Sequence, residues 1–79
     1  MAAPTLSDLI SNAPADTATQ QTFAEWFSNV IRYAESIDNV TIATDARSGL
    51  FFSNDSEKAK KFKYICLAEL KTLQTYPIT

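Results

Sequence analysis

Lys58, Lys60, Lys61 and Lys63 crowd one short stretch of this chain, with Tyr64 beside them and Lys71 further along. Ammonium groups at that density can meet phosphates, and an exposed tyrosine ring can stack on a base, so the set describes a nucleic-acid contact. Two features count against it. The chain as a whole is acidic, with net charge −2 and pI about 4.8, whereas dedicated nucleic-acid domains are usually basic. Arginine, the better bidentate base reader, is absent from the cluster. The lysines also sit near the positive end of a helix dipole, a placement that costs a little stability and hints at a purpose, although solvation or pairing with the acidic second helix explains it equally. A solvated or salt-bridged helix face is the ordinary reading of such a run.

Catalysis has little to work with. There is no histidine, so the commonest general base and metal ligand is missing, and with it every Ser-His or Cys-His nucleophile scheme. Cys66 is the only cysteine. It can form no intrachain disulfide and cannot alone assemble a zinc site. It stands between Phe62 and Leu70 on an apolar stripe, where a thiol acts as a small hydrophobe. The acids are scattered over caps and polar faces, and a single glycine cannot make a phosphate loop. The expectation is no catalytic, cofactor-binding or metal-binding residues, no cofactor and no small-molecule substrate.

The other candidate is aromatic. Phe23, Trp26, Phe27 and Tyr33 lie on one helix, on an arc with Val30, Ala34 and Ile37 and with Ile31 at its margin. That arc is wider than a plain packing stripe. Trp26 and Tyr33 are the candidate anchors for another protein, because such residues dominate interface energetics. Phe51 and Phe52 join them: if they lie on a strand they point to opposite faces, so one is left outside the core.

These residues need elements to position them. Thr5 followed by Asp8 resembles a capping box and opens a short helix over residues 5–12. Pro14 closes it. Asp16 or Thr17 can cap a long helix over residues 17–38, and Thr17 with Gln20 fits the same reciprocal pattern. From Asn39 the period changes to two at Val40 and Ile42, which suggests a strand. Turn chemistry over Asp45-Ala46-Arg47-Ser48-Gly49 and a return strand at Leu50-Phe51-Phe52 complete a hairpin over residues 39–53; an irregular loop or a short helix starting at Thr44 competes with it. Asn54 with Glu57 caps a last helix over residues 55–76, with Ala59, Phe62, Cys66, Leu70 and Leu73 on its buried stripe and Ile65 and Tyr76 flanking it.

The fold class expected is mainly α, with α+β as an option: one domain in the order α-α-β-β-α, its two long amphipathic helices packed face to face. At 79 residues such a domain buries only about 60% of its unfolded surface, so good packing or a partner chain must support it. No apolar run approaches the roughly 20 residues of a membrane span. Met1 to Pro14 carries no Lys or Arg, unlike a signal peptide. These features, with the lone cysteine, point to a cytoplasmic location. The expected function is a non-enzymatic protein–protein interaction module, either a small subunit of an assembly or a compact regulator or inhibitor docking on a larger protein. Its partner is another protein or a second copy of itself; a nucleic-acid-binding protein using the lysine-rich face is the alternative.

Overall fold

The computed structural model describes residues 4–75, and among these it holds four helices: α1 (Leu6–Ser11), α2 (Gln20–Ser36), α3 (Val40–Phe51) and α4 (Ser56–Thr75). The mainly α class holds. The hairpin does not: residues 40–51 are helical, and there is no strand among the described residues.

The reason lies in what faces inward. Ile42, Ala43, Ala46 and Gly49 are buried, at spacings of one, four and seven from the first, which is a helical stripe; Val40 is 74% exposed. The β-branched residues at the start of α3 imitate a strand, but small residues at helical spacing decide the packing. Asn39 caps the helix, its Oδ1 accepting from the Ile42 N–H at 3.0 Å. Gly49 makes no turn, since no glycine has positive φ. A Cβ there would overlap Cε1, Cζ and Cδ1 of the Phe27 ring, so the missing side chain lets α2 and α3 close together.

Positive φ falls instead on Asp38, at 55°. The Asn39 N–H reaches back to the Ala34 carbonyl (2.8 Å) and the Asp38 N–H to that of Glu35 (3.2 Å), the paired bonds of a Schellman stop. Two other caps also differ from expectation. Thr19, not Thr17, caps α2, its Oγ1 accepting from the Thr22 N–H. Asp55, not Asn54, caps α4, its Oδ1 accepting from the N–H groups of Glu57 and Lys58. Thr5 caps α1 as the sequence indicates.

The core is continuous across all four helices: Leu9 from α1; Phe23, Trp26, Phe27, Val30 and Ala34 from α2; Ile42, Ala43 and Ala46 from α3; Ala59, Cys66 and Leu70 from α4. The two long helices are not each other's chief partner. α2 packs mainly on α3 and α3 on α4, so the supposed hairpin is the middle of the fold. Tyr76, expected to flank α4, lies outside the described residues.

Candidate interaction surface

The α3–α4 corner gathers three aromatic rings. α3 ends at Phe51, and the Phe52 N–H bonds to the Ser48 carbonyl at 3.0 Å. Successive helical residues diverge by about 100° rather than the opposite directions of a strand. Phe51 therefore points outward, 78% exposed, while Phe52 is half-buried. The Phe51 ring meets that of Phe52 edge-on (4.9 Å between centroids), and Phe52 lies parallel to Phe62 at 6.1 Å. The Lys58 ammonium stands 4.5 Å from the Phe52 centroid, a cation–π contact that keeps one lysine of the cluster at this corner.

The other proposed anchors are placed differently. Trp26 is 4% exposed, and its indole N–H donates to the Leu9 carbonyl at 2.9 Å. Its polar edge serves the end of α1, where helical carbonyls lack partners, so Trp26 is not available to another protein. Tyr33 is half-buried against the core. Ile37 and Val40, beyond the end of α2, are exposed. Val40 lines a cavity of about 310 Å³ with Ala34 and Ala43, with the Glu35–Arg47 ion pair at its side.

The lysines do not form one face. Lys63 is buried on the stripe of Ala59, Cys66 and Leu70 and pairs with Asp16 at 2.9 Å. The Tyr64 hydroxyl donates to the same Asp16 oxygen at 2.6 Å, and the Lys63 ammonium lies over the Tyr64 ring. The Tyr64 hydrogen bond, with that of Lys63, holds the Asp16 carboxyl below its usual range; the same bond raises the Tyr64 phenol. Lys60 stands 3.8 Å from Glu57. Lys61 and Lys71 are exposed. The expected nucleic-acid contact set is thus divided between an aromatic corner (Lys58), a structural clamp (Lys63 and Tyr64), the Lys60–Glu57 contact and two solvated side chains.

Asp16, a candidate helix cap, Asp45, a candidate turn residue, and Glu69 were not among the expected site residues. The position of Lys63, four after Ala59 and three before Cys66, was a legible sign that it faces inward and needs an acid. Glu69 follows Cys66 by three on the margin of the same stripe. Burial and the neighbouring Asp45 carboxylate push its carboxyl up to about 7. The Cys66 thiol, fully buried, is pushed up to about 12 by burial and by the nearby Glu69 and Asp45 charges. Such a thiol stays protonated and inert at neutral pH.

Comparison of the chain with protein-family models, curated proteins and solved structures returned no match. Among the described residues, no group of three or more Cys, Asp or Glu side chains could hold a metal ion, and no helix is long and apolar enough to cross a membrane.

Proposed function

We propose that the chain is a non-enzymatic protein–protein interaction module whose contact surface is the α3–α4 corner formed by Phe51, Phe52 and Lys58. One observation carries this reading: Phe51 is 78% exposed although Phe23 and Phe27 are enclosed in the core. A phenyl ring held in water on a stiff helix end loses little conformational freedom on binding, and it gains apolar burial when another surface covers it. The cation beside it adds selectivity for a partner with acidic groups at the rim. The contact serves a larger protein or a second copy of the chain, as an assembly subunit or a docking regulator.

A photoreactive phenylalanine analogue at position 51, expressed in the cells that make the chain, tests the reading. It should give a discrete protein adduct. The same analogue at exposed Ser28 should give none, and excess wild-type chain should compete the adduct away where Phe51→Ser does not. A monomer with no specific adduct at position 51 would remove the proposal. No particular observation favours nucleic acid, because the lysine set is divided as described above.

A further inference from the structure

The exposed residues of α3 are Val40, Thr41, Thr44, Arg47 and Phe51, and only Arg47 is charged. Its guanidinium already pairs with Glu35 at 2.6 Å. At about 100° and about 1.5 Å per residue, Val40, Thr44, Arg47 and Phe51 fall within about 60° of one another, with Val40 and Phe51 nearly in line and roughly 16 Å apart. The two ends of this stripe are opposite in form and in charge. At one end Phe51 projects, 78% exposed, with Lys58 beside the neighbouring Phe52 ring. At the other, Ala34, Val40 and Ala43 line the cavity of about 310 Å³, and the exposed acids Glu35 and Asp38 share its lining. An apolar cavity of roughly 150 Å³ already accepts a benzene ring, so a phenyl group fits. The acids near the corner are committed elsewhere: the Asp55 carboxylate accepts from the Glu57 and Lys58 N–H groups, and Glu57 stands 3.8 Å from Lys60. Among the described residues neither Lys58 nor Asp38 has an ion-pair partner.

We propose that the partner of the α3–α4 corner is a second copy of the chain, in a two-fold dimer whose α3 helices lie antiparallel, an inference that rests on that corner being a contact surface. Phe51 of each copy enters the Ala34–Val40–Ala43 cavity of the other, Lys58 meets the other copy's Asp38, and Thr44 faces Arg47 across the axis. Each feature finds its complement on the same face of the same helix. One half-turn therefore forms both contacts at once and closes the assembly at two chains.

Sedimentation equilibrium of the purified full chain tests the dimer. Wild type should reach twice 8.8 kDa as its concentration rises. Phe51→Ser removes the projecting ring and Val40→Arg obstructs the cavity. Each loss occurs twice in the dimer, so each variant should associate roughly 30-fold or more weakly. Asp38→Lys and Lys58→Glu each set like charges together and should stay monomeric alone. Mixed in equal amounts they should pair about as well as wild type, because both ion pairs reappear. A photoreactive phenylalanine analogue at position 51 checks the register without altering a charge, and its adduct should lie within residues 34–47 of a second copy. An adduct at residue 51 of the second copy would overturn the dimer, as would a mixture that fails to associate while both charge variants melt cooperatively. A monomeric wild type whose adduct is to a different protein also overturns it, yet leaves the corner standing as a contact surface. A monomeric wild type with no adduct removes both.

Discussion

The indole N–H of Trp26 donates to the Leu9 carbonyl at 2.9 Å, across a sequence separation of 17 residues. α1 is too short to be stable alone. This bond, with Leu9 buried in the core, fastens it to α2. Trp26→Phe keeps an aromatic ring but leaves that carbonyl unpaired and a gap beside it. The expected cost is about 2–3 kcal/mol, seen as a fall in melting temperature of roughly 10 °C or more. An unchanged melting temperature would show that α1 is held by other contacts.

Asp16 and Lys63 join the α1–α2 connector to α4 through a contact that is exposed on the acid and buried on the base. Removing the acid strands a buried ammonium, whereas Lys63→Met replaces the cation with an apolar chain of similar length. Asp16→Asn should therefore destabilise more than Lys63→Met in urea denaturation. The reverse order would mean that the pair is held chiefly by its solvent-facing half.

Two pH limbs of opposite sign follow from the acids. Asp16 is lowered from 3.8, so its stabilisation is present above that value and is lost as pH falls through the lowered one. Glu69 is raised from 4.5 to about 7, so its contribution is fully present below 4.5 and is lost as pH rises through about 7. Thermal melts across this range should show maximum stability in mild acid. Glu69→Gln should remove the loss toward neutral pH and leave the acid limb intact.

Gly49→Ala sets helix propensity against packing. In an open helix the change is worth about 1 kcal/mol in favour of alanine. Here the new methyl group would overlap the Phe27 ring, and overpacking of that kind costs about 1–3 kcal/mol. Net destabilisation is expected, with recovery in the Gly49→Ala, Phe27→Leu double variant. Additivity of the two changes would contradict the contact.

Asp38 occupies the left-handed region at φ 55°, where a side chain is strained and glycine is not. Asp38→Gly should raise stability by about 0.5 kcal/mol. A decrease would reveal a role for the exposed carboxylate beyond the turn.

Much of this was legible in the chain by itself. The apolar stripe of α2, the Thr5 cap, the stop near Ser36 and the core position of Cys66 all follow from local spacing and backbone sterics, which act within a few residues. The absence of histidine and the single cysteine narrow the chemistry without any coordinates. Tertiary contacts decided the rest. Val40 and Ile42 alternate like a strand, but α2 and α4 offer a groove lined by ring and aliphatic surface, and small residues at helical spacing fill it. Gly49 reads as a turn until Phe27 is seen against its backbone. Trp26 reads as an interface anchor until its N–H finds Leu9, and Lys63, inward by its spacing, has no visible acid until Asp16 reaches it from 47 residues away. In each case the side chain's role depends on a partner far along the chain, and sequence periodicity records a residue's face without recording what will meet it.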